Sequence, residues 1–218
     1  RNTTRVSASR PGVAIRSSAS PERATLPPMR TRIKFCGLVR ADDVRTAAAL
    51  GVDAVGFVFH AQSPRSLDLC SAAGLRRLLP SWVAAVGLFV NAPAGAVRRV
   101  AGAVGLDVIQ FHGDEAPDAC EAELPVGLSY WRAVRMRAAV DLIESFDRFA
   151  SAEALLLDSH SPGYGGSGES FDWSWIRRER PKPIVLSGGL APGNVAAAIA
   201  QVRPTMVDVS SGIQAGAP

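Results

Sequence analysis

The chain has 218 residues and 47% hydrophobic content, enough for one sizeable core, and no apolar run reaches the roughly 18 residues of a membrane-spanning helix. Its net charge of +4 comes from residues 1–28, where Arg1, Arg5, Arg10, Arg16 and Arg23 face the single acid Glu22. The remainder is electrically neutral, so neither nucleic-acid binding nor membrane association by the folded part finds support in charge.

Residues 1–28 are rich in Arg, Ser, Ala and Pro and cannot bury a core; they are expected to be a disordered extension. The composition suits a plastid-type transit peptide, and equally a linker or translated upstream sequence with Met29 as the native start. The cytoplasm is the expected compartment, a plastid the alternative. Residues 29–218 form the predicted folded domain. Cys36, Cys70 and Cys120 are widely spaced, which predicts neither a disulfide framework nor a zinc site.

From Thr31 onward, strand-like and helix-like runs alternate. Strands are predicted at Arg32 to Cys36, Ala54 to Phe59, Val83 to Val90 and Asp107 to Phe111. Helices follow from about Ala41 to Leu50, Asp68 to Leu79, after Pro93, and after Asp114. The second half predicts strands at Trp131 to Met136, Ala154 to Asp158, Ile184 to Ser187 and Met206 to Ser210. Its helices are expected from Ala138 to Phe149, after Phe171, and from Pro192 to Val202. Strands separated by helical runs imply a parallel sheet with right-handed crossovers. Eight of them favour a closed (β/α)8 barrel over a doubly wound sheet. The latter wants a glycine fingerprint after its first strand, and Cys36-Gly37-Leu38-Val39 is not one. After Gly212 too little chain remains for an eighth helix. The outward faces of the last and first strands are therefore expected to lack cover, unless a partner or the extension supplies it.

A barrel of this kind carries its active site at the C-terminal ends of the strands. Lys34 and Cys36 share one face of the first strand, opposite Ile33 and Phe35. If the apolar pair packs on helices, Lys34 and Cys36 point inward. Cys36 is then a candidate base or nucleophile, enriched in thiolate by the nearby cation, or else a buried inert thiol. Arg65, on a loop stiffened by Pro64, suits a carboxylate, or is a surface arginine. Gln110 and His112 share a face; His112 is either a ligand to substrate or the partner of a loop carbonyl, and Asp114 a candidate helix cap. Asp158 closes the run Leu155-Leu156-Leu157, a costly place for an acid unless it is bonded or functional; its other reading is a cap on the following loop. That loop, Pro162 to Gly168, is either a mobile lid or a plain connector. Ser187-Gly188-Gly189 and Ser210-Ser211-Gly212 end two buried strands, and together could cup a phosphate or make two ordinary turns.

These segments resemble phosphoribosylanthranilate isomerase. The likeness is carried by Lys34-Phe35-Cys36-Gly37, Gly56-Phe57-Val58-Phe59, Ser63-Pro64-Arg65, Gly87 to Asn91 and Gln110 to Glu115. It continues through Gly165 to Gly168, Phe171-Asp172-Trp173, Ser187 to Leu190 and Asp208 to Gly212. The resemblance implies a (β/α)8 barrel catalysing a step of tryptophan biosynthesis, the Amadori rearrangement of N-(5′-phosphoribosyl)anthranilate, without metal or cofactor. It implies Asp158 as general acid and Cys36 as general base, with Lys34, Arg65, Gln110, His112 and Asp208 binding substrate. Gly188, Gly189, Ser210, Ser211 and Gly212 would bind its phosphate. The implied partner is a small phosphorylated molecule, with monomer and homodimer both open. Glu169 stands where the family usually has a basic residue, and Gln214 where it has Glu. Family members also continue into Gly-x-Lys-Asp and a last helix. Two other readings are a truncated barrel that binds a phosphorylated ligand without turnover, and one domain of a fusion with indole-glycerol-phosphate synthase.

Overall fold

Alternate residues of a strand point to opposite sides, and in this chain the two sides bury different partners. In the computed structural model, which describes residues 30–160 and 170–214, eight parallel strands close into a barrel in sequence order. They are β1 (Arg32–Cys36), β2 (Ala54–Val58), β3 (Ala84–Phe89), β4 (Val108–Phe111), β5 (Ser129–Met136), β6 (Ala154–Ser159), β7 (Ile184–Leu186) and β8 (Met206–Val209). Inside the ring lie Ala54, Val86, Ala133, Leu156, Val185 and Met206. Val55, Phe57, Ile109, Leu155, Leu157 and Val207 belong to the larger cluster formed with the helices. A strand buried on both sides reads as one continuous apolar run, which is why Leu155-Leu156-Leu157 carries no alternation.

The helices are α1 (Ala41–Ala49), α2 (Leu69–Arg76), α3 (Ala96–Val104), α4 (Pro117–Glu123), α5 (Ala139–Arg148) and α6 (Val195–Val202). α3 buries Val97, Val100, Ala101 and Val104, the spacing of a single helical face. Asp68 caps α2 by accepting from the Ser71 N–H at 2.9 Å. The barrel closes where β1 meets β8, with Lys34 directly opposite Asp208 in the register.

The short helix expected after Phe171 is a single 3₁₀ turn at Trp173–Trp175. Two expectations need correction. Asp114 does not cap α4: the helix starts three residues later, with Pro117 setting its first turn, and the Asp114 carboxylate takes Arg135 at 2.6 Å. The expected bare face is found on β1 only. Ile33 is 36% exposed and Phe35 half-buried, beside a groove walled by α1 with Leu50 70% exposed. On β8, Val207 and Val209 are buried in the same cluster as Ala198 and Val202 of α6. The extension at 1–28, Met29, the loop Pro162 to Gly168 and Glu169 lie outside the described residues. No helix among the described residues is long and apolar enough to cross a membrane.

Candidate active site

The inward parity of four strands delivers the polar residues to one place. Lys34 and Cys36 on β1, Gln110 and His112 on and after β4, Asp158 on β6, and Asp208 and Ser210 on and after β8 all sit on the inner side. Cys36, Arg65, Gln110, His112, Asp158 and Asp208 line one cavity at the C-terminal mouth, with about 740 Å³ of atom-free space when the part open to solvent is included. Gly188, Gly189, Ser210 and Ser211 form the rest of its rim. Two predicted residues stay off the wall. Lys34 lies wholly buried beneath it, and Gly212 packs against the Leu190 carbonyl. His60, Ser63 and Ser187 also line the mouth. Ser187 was visible as the end of an apolar run and Ser63 as part of Ser63-Pro64-Arg65; His60 carries no signal beyond a polar loop.

On the floor, Lys34 Nζ donates to Asp208 Oδ2 at 2.9 Å, an ion pair shut off from solvent. Burial works against the lysine cation, yet Asp208 and Cys36 outweigh it and hold Lys34 above its ordinary value. The Asp208 carboxyl is pushed up by burial, with Lys34 opposing. Its second oxygen, Oδ1, is buried with no hydrogen-bond partner among the described residues. A buried acceptor left unsatisfied costs about 1–3 kcal/mol, so this oxygen favours any ligand that brings a hydroxyl or N–H to it.

Cys36 departs from the sequence expectation of a thiolate-rich cysteine. Burial is the largest influence and pushes the thiol up to about 11 from 9.0; Lys34 pulls it down, while Asp208 and Asp158 add to the rise. The cation is present, but desolvation of the sulfur wins. Alkylation of Cys36 by iodoacetamide, followed residue by residue by mass spectrometry, should therefore climb with pH toward a midpoint near 11. A midpoint at or below the ordinary thiol value of 9.0 would contradict this balance.

Gln110, His112 and Asp158 form a buried chain. Gln110 Nε2 lies 3.0 Å from His112 Nδ1, and His112 Nε2 lies 3.2 Å from Asp158 Oδ2. The Ser159 N–H donates to Asp158 Oδ1 at 2.9 Å. His112 thus faces an acid and not a loop carbonyl. The Nε2···Oδ2 contact joins an imidazole and a carboxyl group, two groups able to exchange a proton, on the wall of the cavity.

Arg65 is half-buried at the boundary between the cavity and the groove beside α1. Its guanidinium donates to Gln214 Oε1, across the 3₁₀ turn that follows β8. A guanidinium has five N–H donors, so this bond leaves others for a carboxylate in the cavity.

The two small-residue loops complete the rim of the same cavity. Asn194 braces the first: its side chain accepts from the Ala191 N–H and donates to the Gly189 carbonyl, at 2.9 and 2.8 Å. Gly188 has φ +81°, and a Cβ there would lie 2.5 Å from the Ser159 backbone nitrogen. That backbone borders Asp158, so Gly188→Ala should both distort the loop and shift the acid. We expect at least a tenfold loss of kcat/KM together with a lower urea midpoint; an unchanged kcat/KM would show that the loop tolerates the side chain.

The fold and the site together define a (β/α)8-barrel enzyme. Residues 33–216 match the model of the N-(5′-phosphoribosyl)anthranilate (PRA) isomerase family, and the chain belongs to that family. It is 50% identical over 189 residues to N-(5′-phosphoribosyl)anthranilate isomerase of Leptothrix cholodnii, covering 87% of this chain and 84% of that protein. The Methylibium petroleiphilum protein of the same name is 50% identical over 186 residues, covering 85% and 86%. The solved phosphoribosyl anthranilate isomerase of Thermotoga maritima superposes with a TM-score of 0.79 at 38% identity, covering 86% of this chain and 91% of that one. A second solved isomerase, in complex with reduced 1-(o-carboxyphenylamino)-1-deoxyribulose 5-phosphate, gives a TM-score of 0.76 at 35% identity with 86% and 91% coverage.

Proposed function

We propose that the chain converts N-(5′-phosphoribosyl)anthranilate to 1-(o-carboxyphenylamino)-1-deoxyribulose 5-phosphate, as a step of tryptophan biosynthesis. The observation that carries this reading is one cavity lined by Cys36, Asp158, Arg65 and the Gly188-Gly189 and Ser210-Ser211 loops together. A substrate that bears both a carboxylate and a phosphate matches that lining. Arg65 holds the anthranilate carboxylate and the two loops hold the phosphate, which places the ribose over the acid and the base.

Asp158 gives its proton to the ribose ring oxygen as the C1′–O bond breaks. The nitrogen lone pair becomes a C=N bond, leaving an open-chain iminium. Cys36 then removes the C2′ proton, and that electron pair neutralises the iminium as an enolamine. Tautomerisation to the C2′ ketone completes the reaction, with one proton given and one taken. A thiol held near 11 is neutral at the start of this sequence. The iminium cation formed beside it favours the thiolate, and the Asp158 carboxylate left by ring opening in the same cavity takes the thiol proton, so the base is activated only after the acid has opened the ring and the acid is restored in the same step. Asp208 Oδ1, lacking a partner among the described residues, accepts from a ribose hydroxyl.

The test is the fluorescence decay of freshly prepared phosphoribosylanthranilate with the purified chain, the product identified by mass spectrometry and borohydride reduction. Turnover to the ribulose derivative is the expected result. A chain folded by circular dichroism that binds substrate without turnover would overturn the reading.

A further inference from the structure

His112 is aimed at Asp158 from a loop that is held by an unusual amount of charge. Glu115 closes that loop and is 10% exposed, as is Arg132 from β5. The two side chains meet at 2.7 Å. Glu115 accepts from the N–H of Gly113 at 2.9 Å and from the N–H of Asn91 at 2.7 Å. Arg132 donates from its other nitrogen to the carbonyl of Gly113 at 2.8 Å, and its guanidinium lies over the Phe149 ring, 4.8 Å from the centroid. Both polar groups of Gly113, the residue that follows His112, are therefore held by one ion pair. The loop after β3 is tied in as well. The Asp114 N–H donates to Asn91 Oδ1 at 2.7 Å, and Asn91 adopts φ +47° to accept it. A Cβ on Gly113 would lie 2.4 Å from that same oxygen, so only glycine allows the two loops to touch.

None of these groups lines the catalytic cavity. A buried ion pair is a weak source of stability, because desolvation offsets most of its attraction, but it is a stringent source of geometry. The geometry points to Arg132 and Glu115 as positioning residues of the reaction, which fix the Gly113 peptide and so keep the His112 imidazole against Asp158. The inference rests on the proposed role of Asp158 as the acid. Without the clamp, the imidazole swings and the transferable proton leaves the Nε2···Oδ2 line. Misplacement of a reacting group on this scale is costly in rate even when binding survives.

The test is a double-variant cycle on kcat, with KM and thermal melting measured for each protein. Glu115→Gln keeps the shape and one of the two acceptor oxygens while removing the charge; Arg132→Lys keeps the charge while losing the two-pronged grip. Each is expected to lower kcat roughly 10- to 100-fold with KM within about threefold of the parent. In a His112→Ala background, Glu115→Gln should cost nothing further, because both changes remove the same contact. The chain has 3 histidines, so imidazole nitrogen resonances are separable; His112 alone should lose its hydrogen-bonded proton signal in Glu115→Gln. A folded Glu115→Gln with parental kcat overturns the inference. So does an equal loss in the His112→Ala background, which would mean a structural role only. Failure of the acid assignment reads differently, as parental kcat in Asp158→Asn.

Discussion

Cys36→Ala should lower kcat by roughly 10²- to 10⁴-fold while leaving KM and the melting temperature close to those of the parent, and Asp158→Asn should do the same. The size follows from what each change removes. Alanine at 36 leaves no atom able to take the C2′ proton, and solvent must do so from a less ordered position. Asparagine at 158 keeps the shape and still accepts from the Ser159 N–H, but it has no proton to give to the ribose oxygen. Binding survives because neither residue is proposed to hold the carboxylate or the phosphate. The two variants also fail at different points. Cys36→Ala still opens the ring, so borohydride should trap a reduced open-chain adduct from it and none from Asp158→Asn. Retention of kcat within tenfold in either variant would remove that residue from the chemistry.

The second large effect belongs to the floor of the site. Lys34→Met should destabilise the protein by about 3–5 kcal/mol, the usual consequence of breaking a buried ion pair by deleting one partner. Asp208 is then a buried carboxylate facing no cation, and it takes up a proton. Its folded pKa is already raised, and losing Lys34 raises it further. The folded state then binds more protons than the unfolded state, so the variant loses stability as pH rises above the unfolded carboxylate value. The urea midpoint of Lys34→Met should fall between pH 5 and pH 8, more steeply than that of the parent. Asp208→Asn in the same chain should restore most of the loss and flatten the pH dependence, because no charge remains to be buried. A Lys34→Met protein as stable as the parent at pH 8 would show that the pair contributes little.

Much of this was readable from residue order. The apolar runs located all eight strands to within about two residues, because strands buried on both sides leave little else in their sequence. Strand parity put Lys34 with Cys36 and Gln110 with His112 before any coordinates. Three things were not readable. The direction of the Cys36 shift depends on the total desolvation of the sulfur, and a neighbouring lysine in sequence does not measure that. The Glu115–Arg132 pair joins residues 17 apart, one on the loop after β4 and one on β5, and neither residue by itself points to the other. The contact of Arg65 with Gln214 spans 149 residues and exists only once the barrel has closed.

The Lys34–Asp208 pair spans 174 positions of the chain. It lies on the seam where the first strand meets the last, so every earlier stage of folding leaves both charges in water. The thiol on β1, the carboxyl group on β6 and the small-residue loops after β7 and β8 are likewise scattered until that seam is zipped. A chain still emerging from a ribosome, with β8 inside the exit tunnel, can hold its helices and most of its strand pairs and yet have no active site. Non-local closure of this sort is slow relative to local structure. During refolding, helical ellipticity should return first and turnover last, in step with protection of the β1 and β8 amides from solvent exchange.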